Sequence, residues 1–515
     1  MEILKASIKQ TGELIPKILL FGAIAYLVFL TVGNISNPIL DEYGFRQAQT
    51  AITSYYFVQD GFKLAYETPV VGYPWSIPFE FPIFQALVAL TVKLLPIQLT
   101  DAGRLLSLSF FLLSVYSLIK LIELLSFSKN TAYVAAAIFT STPLYLFYSG
   151  SFLIEGAALF FTVAYLYFLI LLGLSIKNWN IKNISYLGML LTLGLLQKLT
   201  TVFPVLIISP LILLLMLGKE NFVILLRKPI FYYALLIGFL FPVLICGFWV
   251  HFTDQIKSQN VIGSALTSVQ LRGWNFGTLK QRISSGLWFD VIYSRNIMSS
   301  PFEWIGLLLI AFGIIFANKK IKIILIVCLF LSLAPFLIFT NLHIEHKYYQ
   351  YANLVFYLVA IVIAIQTLND YLPEHNRSIV FNILAILLMG SNYMHFYADY
   401  YQKKITQINY SNRELLRVSN YIKTHTSKDR PIIIYGLDWS SELPFYAERK
   451  ALALPWGRWD MEALQNPQKF LGNFSPSAVV LCGNNIDTKI IDELYRAFNI
   501  SSKSMVDSCN IFLVK

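Results

Sequence analysis

Asp41-Glu42-Tyr43-Gly44-Phe45-Arg46-Gln47-Ala48-Gln49-Thr50 begins a few residues after the first apolar run of the chain, Ile18 to Val32. Two adjacent carboxylates and an arginine at the exit of a hydrophobic segment are costly to leave unpaired. Asp41 reads as the cap of a helix over about 42–59 that ends at Asp60-Gly61. On that helix Glu42, Arg46 and Thr50 share one face at i, i+4 and i+8. A carboxylate held beside a cation at a membrane surface can take a proton from an acceptor, and the cation can stabilise a phosphate leaving group.

Composition makes that surface a membrane. The 515 residues are 56% hydrophobic and 13% charged, where a soluble domain carries about 25% charge. Repeated apolar runs predict a mostly α, polytopic membrane protein of about eleven spans, two of them near residues 190 and 208. The first run lacks a small-residue cleavage site and reads as a retained span. The net charge of +11 points to no nucleic-acid partner. With the N-terminus in the cytoplasm, Lys129, Lys177, Lys182, Lys219, Arg227, Lys228, Lys319, Lys320, Lys322 and Arg377 all fall in inner-face loops. The outer face receives loop 34–100, the turn Ser149–Glu155, Gln197-Lys198, loop 251–300, loop 341–348 and the tail after about residue 400.

The unusual polar residues collect on that outer face. Glu80 lies among Pro78, Phe79, Phe81 and Pro82, and opens an apolar helix to about Leu95 that is too short to span. Glu155 starts an apolar span, as a cap or as an acid at the membrane edge. Lys198 is a lone lysine between two short spans, suited to snorkelling or to phosphate. His343-Ile344-Glu345-His346-Lys347-Tyr348-Tyr349 offers several hydrogen-bond donors to a phosphate. Two histidines at i, i+3 without a third ligand are a weak metal signal.

The tail from about Ser411 alternates helix and strand, which predicts a small α/β domain. Its expected elements are helix Arg413–Lys423, strand Pro431–Gly436, helix Asp460–Lys469, strand Ala478–Cys482, helix Asp487–Phe498 and strand Ile511–Val514. Asp438-Trp439-Ser440-Ser441-Glu442 follows a strand end, a common ligand position, although a capped loop is the plainer reading. Cys482 and Cys509 can pair if the tail lies outside the cytosol.

Asp41-Glu42 after the first span, Arg46 to Thr50, Glu80-Phe81-Pro82, Glu155 in the next outer turn and His346-Lys347-Tyr348-Tyr349 before a late span occur in one order on one face. This layout resembles the GT-C membrane glycosyltransferases, in the branch of protein O-mannosyltransferases and the lipid A aminoarabinose transferase. The resemblance implies a transmembrane module over 1–400 and an extracytoplasmic domain over 401–515. It implies inverting transfer of a hexosyl or pentosyl group from a polyprenyl-phosphate donor to a hydroxyl of a lipid, glycan or protein. The setting would be the outer, periplasmic face of a cell membrane. Asp41 would be the base, with Glu42 and Glu80 as further catalytic acids. Arg46, Glu155, Lys198, His346, Lys347, Tyr348 and Tyr349 would bind substrate or phosphate. No cofactor is required, although Asp41 and Glu155 could hold a divalent cation.

Two departures stand out. Phe81 occupies the place of a lysine in the aminoarabinose transferase, and Arg46 lies farther from the acid pair. The competing reading is a flippase or transporter of lipid-linked saccharides. That would favour midplane sites on broken helices in repeated halves, and no repeat is visible.

Overall fold

The computed structural model describes residues 2–299, 303–408, 413–454, 457, 459–483 and 488–515. Ser411 and Asp487, the expected starts of the tail and of its last helix, lie outside the described residues. The chain forms two compact units. The first comprises Met1–Ile35, Arg104–Gly247 and Arg272–Lys403; the second comprises Ser36–Gly103, Phe248–Leu271 and Lys404–Lys515.

Among the described residues, seven helices are long and apolar enough to cross a membrane: Glu13–Gly33, Leu99–Leu124, Glu155–Leu174, Ile181–Leu226, Pro229–Ser258, Lys319–Ile338 and Glu374–Ile405. Three further expected spans fall on shorter helices, Lys129–Ser141, Glu303–Phe316 and Leu354–Asp370. The last is buried along almost its whole length, so it is packed by protein rather than lipid.

The spans expected near 190 and 208 both lie in Ile181–Leu226, where Lys198 breaks the helix with extended backbone at φ −163°, ψ 94°. Contacts with Glu155–Leu174 fix the direction of each half. Before Lys198, Tyr186 packs on Phe168 and Gly194 abuts Phe161, an antiparallel pairing. After it, Ser209 bonds Tyr165 at 2.9 Å and Met216 abuts Gly173, a parallel one. The chain therefore reverses at Lys198, as two separate spans require.

In the second unit the helix that follows the acid pair is Gly44–Asp60, ended by Gly61 at φ +80°. It does not begin at Glu42, and Asp41 is not its cap. Tyr43 holds that position in the left-handed region at φ 60°, with no side-chain cap bond. The Asp41 main-chain carbonyl accepts from Gly44 N, and the Asp41 carboxylate accepts instead from Gln47. The next helix, Ile83–Leu94, opens behind Pro82 as expected.

The tail folds around a five-stranded sheet of β1 (Ile432–Tyr435), β2 (Ala451–Leu454), β3 (Ala478–Cys482), β4 (Ile500–Val506) and β5 (Cys509–Val514). Their order is β2-β1-β3-β5-β4, parallel through β2, β1 and β3 and antiparallel beyond. The expected helix at 460–469 splits into Asp460–Gln465 and Pro467–Leu471, because Pro467 has no N–H with which to continue the first. Cys482 and Cys509 face each other across β3 and β5 and form a disulfide. The outer edge of β2 is covered: Ala451 N and Ala453 N each donate at 2.8 Å to the carbonyls of Pro69 and Val70.

Candidate active site

Each unit gathers its own set of the site residues expected from sequence. In the second unit Arg46 does not pair with Glu42 along the helix. Its guanidinium binds Glu80 at 2.9 Å and also donates to Gln49. A carboxylate from the following loop is a better partner than one in the non-helical turn before Gly44. Glu42 lies 3.8 Å from the Lys404 ammonium instead. The second Glu80 oxygen accepts from Gln85 Nε2 at 2.8 Å. Burial pushes the Glu80 carboxyl up, but the Arg46 charge and these hydrogen bonds outweigh it and hold the group below its ordinary value. Glu80 is thus an ionised anchor for Arg46 at neutral pH. Asp41 is positioned by Gln47 at the mouth of the same helix.

In the first unit Lys198 Nζ meets Glu155 Oε1 at 2.5 Å, with the side chains only 9% and 3% exposed. The ammonium also lies 3.9 Å from the Tyr349 ring centre and 5.1 Å from that of Tyr348. This is a desolvated cation seated among aromatic faces. His343 is buried beside it. That burial, with the Lys198 charge, pushes its imidazole down to about 3, so the ring is neutral. His346 stacks on Tyr349 at 5.9 Å and 24°. Lys347 turns to the Tyr400 ring, 4.4 Å away. Glu155 Oε2, the Gln350 carboxamide and the Tyr351 hydroxyl are buried with no hydrogen-bond partner among the described residues. Each such group costs about 1–3 kcal/mol unless a ligand or water satisfies it.

Glu155, Lys198, Tyr348 and Tyr349 therefore form one constellation, to which His343 and Tyr351 add themselves. Arg46 and Glu80 form another, with Asp41 held by Gln47 just before the Gly44–Asp60 helix. Gln47 and Gln49 lie in the quoted Arg46–Thr50 stretch but take no role from sequence, and Gln85 is not singled out, because neutral amides carry no charge signal; the i, i+3 spacing of Gln49 from Arg46 was the available hint. Among the described residues no group of three or more His, Cys, Asp or Glu side chains could hold a metal ion.

Solved membrane glycosyltransferases share this architecture. ArnT from Cupriavidus metallidurans, bound to undecaprenyl phosphate, superposes with a TM-score of 0.63 at 9% identity, covering 95% of this chain and 97% of its own. The archaeal oligosaccharyltransferase AglB from Archaeoglobus fulgidus, in complex with an inhibitory peptide and a dolichol-phosphate, gives 0.56 at 11% identity over 91% and 69%. The mycobacterial arabinofuranosyltransferase AftD gives 0.52 at 11% identity over 96% and 41%. No protein-family profile and no curated protein sequence matches the chain. The fold is thus the GT-C fold that the order of motifs implies, with apolar helices and a small C-terminal sheet.

Proposed function

We propose that this chain is an inverting glycosyltransferase that moves a hexosyl or pentosyl group from a polyprenyl-phosphate donor to an acceptor hydroxyl at the extracytoplasmic membrane face. The observation that carries the reading is the Lys198 ammonium, desolvated at a helix reversal, braced by Glu155 and flanked by Tyr348 and Tyr349, with Glu155 Oε2 and the Tyr351 hydroxyl lacking hydrogen-bond partners among the described residues. Such a group is preorganised for the charge that develops on a leaving phosphate. The lipid phosphates held by ArnT and AglB support a donor of that class.

Asp41 takes the proton of the acceptor hydroxyl as its oxygen attacks the anomeric carbon. The bond from that carbon to the phosphate oxygen breaks on the opposite side, and the phosphate departs with the electron pair. The first unit offers Lys198 and Tyr349 for the donor phosphate, with Lys347 and His346 as outlying donors. Arg46 and Glu80 hold the Gly44–Asp60 helix in register for Asp41, and Glu42 faces Lys404. The charge of Glu155 is compensated by Lys198, so the scheme requires no divalent ion.

Sidedness rests on the inner-loop lysines. It is supported by the Cys482–Cys509 disulfide, which suits an oxidising compartment. Residues 1–400 then act as the membrane module and 401–515 as an extracytoplasmic domain.

The test reconstitutes wild type and Asp41→Asn with radiolabelled polyprenyl-phosphate sugars and a membrane extract. Wild type transfers label, with or without a chelator. Asp41→Asn loses about 10²–10⁴-fold in rate and keeps donor binding. Movement of intact donor across the bilayer without transfer would overturn the proposal in favour of a flippase.

A further inference from the structure

Three half-buried rings in the second unit converge from distant parts of the chain. Phe45 opens the Gly44–Asp60 helix, Phe79 precedes Glu80, and Trp439 lies in the loop after β1. Trp439 meets Phe45 edge-on at 5.0 Å and 82°, and lies tilted by 34° against Phe79 at 6.1 Å. Each ring is followed in sequence by a polar group. Arg46 and Glu80 bind each other, and the Ser440 hydroxyl donates to Glu442 at 3.0 Å. Asp438 is exposed in front of Trp439, and the Lys257 ammonium lies 5.5 Å from the Phe79 ring centre. The Glu442 carboxylate fits against the bare Cα of Gly44, where a Cβ would overlap Oε1. The Ser441 hydroxyl is buried with no partner among the described residues.

We propose that Phe45, Phe79 and Trp439, framed by Asp438 and Glu442, form the acceptor subsite, and that the acceptor is a saccharide. A sugar ring offers an apolar C–H face to aromatic rings, and its hydroxyls both donate to carboxylates and accept from cations. This surface supplies both. A phosphorylated or otherwise anionic headgroup would meet Asp438 and Glu442. An extended peptide would seek a free strand edge; the β2 edge is paired with residues 69–70, and the other edge strand, β4, carries none of the three rings. The word acceptor rests on the glycosyltransferase reading; saccharide binding at these rings does not.

The experiment uses the full chain in detergent, labelled with 5-fluorotryptophan, and a panel of neutral methyl glycosides of hexoses and pentoses. A serine- and threonine-containing pentapeptide is the comparison. At least one glycoside is expected to shift the Trp439 resonance, assigned by its loss in Trp439→Phe. Trp439→Leu keeps apolar volume without a ring face and should weaken that glycoside about three- to tenfold, while Trp439→Phe stays near wild type. In the transfer assay Trp439→Leu should raise KM for the acceptor and leave kcat and donor binding unchanged. No shift with any glycoside, equal affinity in Trp439→Leu, or preference for the peptide would overturn the proposal. Glycoside binding without any sugar transfer would leave the subsite standing and sink the glycosyltransferase reading alone.

Discussion

Replacing Lys198 by Met separates the structural from the chemical work of the buried ammonium. Met keeps the length of the side chain and removes its charge, leaving the Glu155 carboxylate, 3% exposed, without its partner. Breaking a buried pair from one side costs about 3–5 kcal/mol. Adding Glu155→Gln removes the orphaned charge, and the double variant should regain most of that loss. Affinity for a lipid phosphate should behave differently. A charge-assisted bond contributes about 1.5–3 kcal/mol, equivalent to roughly 10- to 150-fold in Kd. The double variant should therefore melt near wild type yet bind undecaprenyl phosphate roughly 10- to 150-fold more weakly. Unfolding followed by tryptophan fluorescence in detergent and titration with the lipid phosphate supply the two readouts. If the double variant binds the lipid phosphate as wild type does, Lys198 serves only to neutralise Glu155, and the reasoning fails.

The Glu80 carboxyl, held below its ordinary value of 4.5 by Arg46 against the opposing push of burial, adds stability above that pH. The contribution is lost as pH falls through the lower folded value. In Arg46→Met burial is opposed only by the Gln85 and backbone hydrogen bonds, so the stability gained above pH 4.5 should shrink or reverse; parallel pH–stability profiles for the two proteins would count against the pairing. Gly44→Ala brings a Cβ against Glu442 Oε1, the far end of a side chain that can turn aside, and 3.2 Å from the Ile39 carbonyl, so it should cost no more than about 1 kcal/mol. Glu442→Asp in the same chain should relieve it, as thermal melts would show. Replacing Cys482 and Cys509 together by serine should cost about 3.5 kcal/mol for the 27-residue separation they close. Non-reducing peptide mapping of native membranes should find the pair oxidised, and free thiols there would contradict the extracytoplasmic placement.

The long apolar spans and the strand Ala478–Cys482 were legible because their signal is local. The partner of Arg46 was not. The i, i+4 rule offered Glu42, but Tyr43 in the left-handed region delays the helix start, and Glu80, 34 positions away, takes the guanidinium. β2 was hidden because Ala451 to Leu454 carries no periodicity that separates strand from helix. β4 was hidden because its polar, largely exposed sequence looks like a loop until β5 pairs with it. The loop at Asp438–Glu442 looked ordinary because the rings that meet Trp439 come from the other end of the chain.

The reversal at Lys198 has a mechanical consequence. The helical stretch from Ile181 to Gln197 is roughly 17 residues, or about 26 Å at the usual rise. A typical hydrocarbon core is about 30 Å thick. A hairpin arm shorter than the bilayer it crosses draws its tip inward or thins the lipid around it. The ammonium at that tip thus sits at a depth set jointly by helix length and acyl-chain length, so under the proposed function bilayer thickness becomes a variable of the chemistry. Reconstitution in short-chain and long-chain lipids should tune turnover without any change in the protein.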